Sequence, residues 1–122
     1  MFEITIKTHF SAAHSLRNYN GKCEELHGHN FNVHVTVSGE KLDDIGLLID
    51  FKILKEKANR IISSFDHKYL NNLPEFKEIN PSSENISRFI FNKIDNELKG
   101  DKVKVKKVAV WESDSSCAIY YR

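Results

Sequence analysis

From Phe2 to Phe10, the apolar residues Phe2, Ile4, Ile6 and Phe10 alternate with Glu3, Thr5, Lys7 and His9. A period of two is that of a strand with one buried face. Phe31, Val33, Val35 and Val37 repeat the pattern, with Asn32, His34, Thr36 and Ser38 turned the other way and Gly39 ending the run. The period then lengthens. Phe51, Leu54, Ala58, Ile61, Ile62 and Phe65 recur at helical spacing behind Asp50, a suitable N-cap. A second helix is predicted to start where Pro81 precedes capping serines, with Ile86, Phe89, Ile90, Ile94 and Leu98 as its apolar stripe and Gly100 as its stop. Val103 and Val105 share one parity and Val108 and Val110 the other, which calls for a bulge near Lys106 and Lys107. Cys117 to Tyr121 reads as a last strand, with Cys117 a small core residue and Trp111 a packing residue.

The predicted order ββααββ gives an α+β fold: a four-stranded antiparallel sheet with two helices on one face. No repeat, low-complexity tract or linker divides residues 1–122, so one domain is expected. Such a chain can bury roughly two thirds of its unfolded surface without staples. Two connections, about Ser15 to Asn30 and Asp66 to Ser82, are long for a compact domain, and long ordered loops often carry function.

Eighteen basic and seventeen acidic side chains leave a net charge of +1, no field for drawing in nucleic acid or an anionic membrane. Two cysteines, Cys23 and Cys117, are too few for a disulfide framework, and the sequence begins without the apolar run of a signal peptide or a membrane span. A cytoplasmic protein with reduced thiols is expected, with no nucleic-acid or membrane partner.

The candidate chemistry is concentrated in a few residues. His27 and His29 are two apart, so in an extended segment both rings project to one side, and His14 shares the parity of Phe10 and Ala12. Three neutral imidazoles with a fourth position open describe a catalytic zinc site. Two other readings are open: ordinary surface histidines, or a closed structural site with the Cys23 thiolate as fourth ligand. His9 and His34 are out of phase and expected to face solvent or serve structure. Cys23 in its loop suits a base or nucleophile. Asp66 precedes His67, and a turn that brought them together would let the carboxylate fix the imidazole tautomer.

Ala12-Ala13-His14, "CEELHGHN" from Cys23, "IDF" from Ile49, "DHKYLN" from Asp66, "PSSENIS" from Pro81 and "WES" from Trp111 together resemble the 6-pyruvoyltetrahydropterin synthase family in both order and spacing. The three residues between Cys23 and His27 are similar to the 6-carboxytetrahydropterin synthase branch, which acts in queuosine and other deazapurine pathways. The resemblance implies a tunnelling fold, a homohexamer, and Zn2+ held by His14, His27 and His29. It also implies proton transfer by Cys23 with Asp66 and His67, and pterin anchoring by Glu112. Ser82, Ser83 and Glu84 stand where family members commonly read T-S-E or T-T-E, keeping the hydroxyls but losing a methyl; they are the further candidates for binding substrate. The expected activity is a zinc-dependent lyase acting on 7,8-dihydroneopterin triphosphate. The alternatives are a pyruvoyl-forming or aldolase-like pterin enzyme, and a non-catalytic zinc-stabilised binding module.

Overall fold

The computed structural model describes residues 1–19 and 25–122. Its strands are β1 (Phe2–His14), β2 (His27–Gly39), β3 (Lys68–Tyr69), β4 (Lys104–Ser113) and β5 (Ser116–Tyr121), and its helices α1 (Phe51–Ile62) and α2 (Ser83–Glu97). They form one sheet in the order β3-β1-β2-β4-β5. β1 and β2 pair antiparallel without a break from Phe2↔Gly39 to His14↔His27. The ladder between β2 and β4 shifts register opposite Thr36 and Val37, where Thr36 faces Lys107 and Val37 faces Val105, so Lys106 is the extra residue of the bulge that the valine parity demanded.

The sheet has five strands where the sequence pattern gave four. β3 is only two residues long and pairs parallel to β1 at Ala12 and Ala13. A strand this short has no period to read and exists because the chain leaving α1 meets the edge of β1. The long second connection is further ordered by two short 3-10 turns, Leu70–Asn72 and Pro74–Phe76.

Both helices begin as their caps dictate. The Asp50 carboxylate accepts the Lys52 N–H at 2.8 Å, and Ser82 Oγ accepts the Asn85 N–H at 3.2 Å, each satisfying one of the first-turn donors. Beyond α2, Gly100 adopts φ +85°, a left-handed conformation that costs glycine little. The helices lie on one face of the sheet, α1 over β1 and α2 over β4 and β5. Between the layers Phe10, Phe31, Val33, Val35, Leu54, Phe65, Ile86, Ile90, Val108 and Val110 are buried.

Two expected core residues lie outside that layer. Phe51 is 59% exposed: the buried stripe of α1 is Leu54, Ala58 and Ile62, and Phe51 lies one turn before it, beside the cap. Cys117 is exposed because Ala118 and Tyr120 turn to the helices, Tyr120 against Phe91 with ring centroids 5.0 Å apart, which sends the odd-numbered residues of β5 the other way. Trp111, also on the outer face, lies half-buried beside His34, its centroid 6.0 Å away. Among the described residues no helix is long and apolar enough to cross a membrane.

At the far end of the β1–β2 ladder, a Cβ built on Gly39 would lie 2.7 Å from Leu48 Cδ1 and 3.1 Å from the Lys102 carbonyl oxygen. Leu48 can yield; the Lys102 backbone can do so only by moving the start of β4. Gly39→Ala is therefore expected to cost about 1–3 kcal/mol, read as a lower urea midpoint with an unchanged slope.

Candidate metal centre and its surroundings

The alternation that buries Phe10 and Phe31 continues to the end of the ladder, where Ala12 faces His29 and His14 faces His27. The three imidazoles thus extend the core face of the sheet. Phe31 forms their floor, its ring edge-on to His14 and His29 at 5.3 and 5.6 Å. The ring centroids of His14, His27 and His29 lie 4.5 to 5.4 Å apart. All three histidines are strand residues, although His27 and His29 fall in a segment expected to be a loop.

Glu112 completes the group. Its Oε1 lies 3.5 Å from Nε2 of His14, 3.7 Å from that of His27 and 2.7 Å from that of His29. Among the described residues these four are the group whose ligand atoms all fall within 4.8 Å of one another. Nε2 of His14 and of His29 is buried without a hydrogen bond; Glu112 is near His29 but out of alignment with it. Buried nitrogens lacking a partner carry a desolvation cost that a cation among them would remove.

The opposite ring nitrogens are committed. His14 Nδ1 donates to the Pro81 carbonyl at 2.7 Å and His27 Nδ1 to the Glu25 carbonyl at 2.8 Å. Each bond fixes the tautomer in which Nε2 carries the lone pair and faces inward. Burial pushes the His29 imidazole below its ordinary pKa, and the neighbouring His27 and His14 reinforce the shift against the opposing pull of Glu112. The neutral, ligating form is therefore the one that prevails at neutral pH. On donor set, orientation and burial, the residues fit a divalent metal ion.

The Pro81 carbonyl is itself held in place. Arg17 donates from its guanidinium to the carbonyls of Phe76, Ile79 and Asn71 at 2.8, 3.2 and 3.3 Å. Asn80 closes a two-bond ring with the Arg17 backbone, and the buried Asn71 does the same with Ser15. These residues clamp the second long connection onto the end of β1. Sequence reading missed them, because their partners are backbone carbonyls and N–H groups and leave no motif; the asparagine that follows "DHKYL" was the one available hint.

Asp66 and His67 do meet through a turn. His67 has φ +58°, uncommon for a residue with a side chain, and its Nδ1 lies 3.1 Å from Asp66 Oδ2. The pair is fastened to the sheet edge: the Ser11 N–H donates to Asp66 Oδ1 at 2.9 Å, and the His67 N–H donates to the Ser11 carbonyl at 2.6 Å. His67 borders a cavity of about 560 Å3 lined by Ser11, Ala12, Ala13, Gly28, His29, Asn30, Lys68 and Tyr69. Ser11, Ala13, Gly28 and Asn30 have the parity opposite to that of the three clustered histidines, whereas Ala12 and His29 are on the histidines' side. The cavity therefore opens mainly on the outer face of the sheet, with Ala12 and His29 at its border, and among the described residues no hydrogen bond or ion pair joins His67 to the three-histidine cluster.

The remaining candidates divide. Ser82 is occupied as the cap of α2. Ser83 Oγ donates to Glu112 Oε2 at 3.5 Å, and Ser83, Glu84 and Glu112 border a small cavity of about 180 Å3 together with Ser116, Cys117 and Ala118. Cys23 lies outside the described residues.

The sequence profile of the 6-pyruvoyl tetrahydropterin synthase family matches residues 3–122. A protein of Archaeoglobus fulgidus provisionally named 6-carboxy-5,6,7,8-tetrahydropterin synthase is 41% identical over 94% of this chain and 91% of its own. The Bacillus subtilis 6-carboxy-5,6,7,8-tetrahydropterin synthase is 32% identical over 98% and 84%, and the Pyrococcus furiosus dihydroneopterin monophosphate aldolase 36% identical over 91% and 90%. The solved structure of 6-pyruvoyl tetrahydropterin synthase from Caenorhabditis elegans superposes with a TM-score of 0.84 at 26% identity, covering 100% of this chain and 97% of the other.

Two outcomes follow from the supporting bonds. Arg17→Ala is expected to lose about 1–3 kcal/mol of stability, and to weaken binding of a divalent metal ion at the cluster about tenfold through the freed Pro81 carbonyl, measured by denaturation and by chelator competition. The Ser11 N–H, aided by His67, holds the Asp66 carboxyl below the usual carboxylate range. That stabilisation is complete above the unfolded value of about 4 and is lost as pH falls through the lower folded value. Asp66→Asn should therefore make the acid-side fall of Tm shallower.

Proposed function

Because this chain belongs to the 6-pyruvoyl tetrahydropterin synthase family, we propose that it is a zinc-dependent lyase of the 6-carboxytetrahydropterin branch. On this reading 7,8-dihydroneopterin triphosphate and one water become 6-carboxy-5,6,7,8-tetrahydropterin, acetaldehyde and triphosphate, a step toward queuosine and related deazapurines. The observation that carries it is the convergence of three Nε2 atoms on one point, two of them oriented by backbone carbonyls, beside a carboxylate that also borders a cavity.

Zinc bound there supplies a Lewis acid that polarises the vicinal oxygens of the substrate side chain. The protein's residues do the rest. Cys23 removes the acidified carbon-bound proton, and His67, oriented by Asp66, returns a proton as the carbon–carbon bond breaks. Each such group is worth about 10²–10⁴ in rate. Glu112 holds the N–H edge of the pterin by charge-assisted hydrogen bonds, with Ser83 behind it.

The placement of His67 on the outer face supports an oligomer, the hexamer of the resemblance, in which the Asp66–His67 pair of one copy serves the metal centre of another. The small cavity supports the same reading: at about 180 Å3 it falls short of the roughly 300–1,000 Å3 usual for a ligand pocket, so other groups must complete it.

The likeness to the Pyrococcus furiosus aldolase favours a second reading, aldol cleavage of a dihydroneopterin phosphate to 6-hydroxymethyl-7,8-dihydropterin. Product analysis separates the two. Zinc-loaded protein given 7,8-dihydroneopterin triphosphate is expected to yield 6-carboxytetrahydropterin with trapped acetaldehyde and triphosphate. 6-Hydroxymethyldihydropterin, or 6-pyruvoyltetrahydropterin without acetaldehyde, would reassign the branch. His14→Ala, His27→Ala and His29→Ala should each lose zinc and His34→Ala keep it. Cys23→Ala and His67→Ala should keep zinc while turnover falls at least about 10²-fold; zinc lost from Cys23→Ala would point to a closed structural site.

A further inference from the structure

Glu112 occupies a position that a pterin anchor alone does not require. It sits at the register irregularity between Trp111 and Ser113 in the β4–β5 ladder, and such a bulge re-aims a side chain. The carboxylate is turned to the helix side, one oxygen toward the three imidazoles and the other toward Ser83. Its side chain is 33% exposed, against 2% for His14 and 26% for His27 and His29, and of the four it is the one that borders the small cavity beside Ser83.

The distances suit ligation. Zinc with bonds of about 2.0–2.1 Å in a tetrahedron separates its ligand atoms by roughly 3.3–3.4 Å. Oε1 stands 3.5 and 3.7 Å from the Nε2 atoms of His14 and His27, close to that edge. The 2.7 Å approach to His29 is shorter and opens to the same edge by a small rotation of an unbranched side chain.

We propose that Glu112 is a displaceable fourth ligand: it closes the metal's coordination shell while the neighbouring cavity is empty, and leaves the metal for the N–H edge of a pterin that enters. The same carboxylate cannot serve both partners through Oε1, so pterin binding itself opens the coordination position that the substrate oxygens need. The inference rests on the zinc and pterin reading above and adds a resting state in which the metal is shielded from water and stray ligands.

The test uses zinc-loaded and cobalt-substituted protein, with 6-methylpterin as a probe that has no side-chain oxygens to bind metal. Glu112→Gln is expected to weaken zinc binding by about tenfold or more, at least the loss usual for a group one shell further out, in competition with a chromophoric chelator. The visible cobalt spectrum of the unaltered protein should shift on titration with 6-methylpterin and approach that of Glu112→Gln, which should itself stay fixed. An unaltered protein that binds both cobalt and 6-methylpterin with no change in that spectrum overturns the proposal, whether or not the variant folds. Unchanged zinc affinity in a folded Glu112→Gln overturns it as well. Failure of the unaltered protein to bind zinc would instead sink the metal reading beneath it.

Discussion

The pairing register of β1 and β2 is the constraint on which the site depends. His14 faces His27 and Ala12 faces His29 only in the observed alignment. Strand side chains alternate between faces, so a slip of one residue would send His14 and the pair His27/His29 to opposite sides of the sheet. The hydrophobic core prevents that slip. Phe10 and Phe31, stacked with centroids 4.9 Å apart, and the row of valines behind them would have to leave the interior together. The same alternation thus packs the domain and aims the imidazoles, with the change from phenylalanine to histidine marking where core ends and chemistry begins.

Much of this was legible in the chain, because strand parity and helix caps are local. The alternation from Phe2, the caps Asp50 and Ser82, the parity switch before Val108 and the shared side of His27 and His29 all depend on neighbours a few residues apart. Less legible was what lies across a face. Cys117 stands among apolar residues of both parities, so its sequence context could not say which parity meets α2. Phe51 continues the apolar rhythm of α1 yet falls outside the covered stripe.

The site shows the same division. The convergence of the three imidazoles follows from spacing and parity, whereas the groups that orient two of them, His14 and His27, are the carbonyls of Pro81 and Glu25, which any residue could provide. Residues with obvious chemistry do not all gather in one place: Asp66 and His67 are bound to the edge of β1 through Ser11, and His67 borders a cavity that opens mainly on the outer face. Motif reading groups residues by chemistry; only the topology says which side of a sheet each one serves.

The cluster is also written from the two ends of the chain. His14, His27 and His29 belong to the first hairpin and Glu112 to the penultimate strand, with both helices between them. A ligand that bridges these groups acts as a cross-link closing a loop of nearly the whole polypeptide. In an unfolded chain, closing a loop of about 100 residues costs about 4–5 kcal/mol in the entropic treatment of cross-links. The folded protein has already met that cost by bringing the ends together, so whatever occupies the site binds to a preassembled clasp. Each departure of the ligand leaves the first hairpin and the penultimate strand held by their pairing in the sheet, the shared core and the Glu3–Lys106 ion pair.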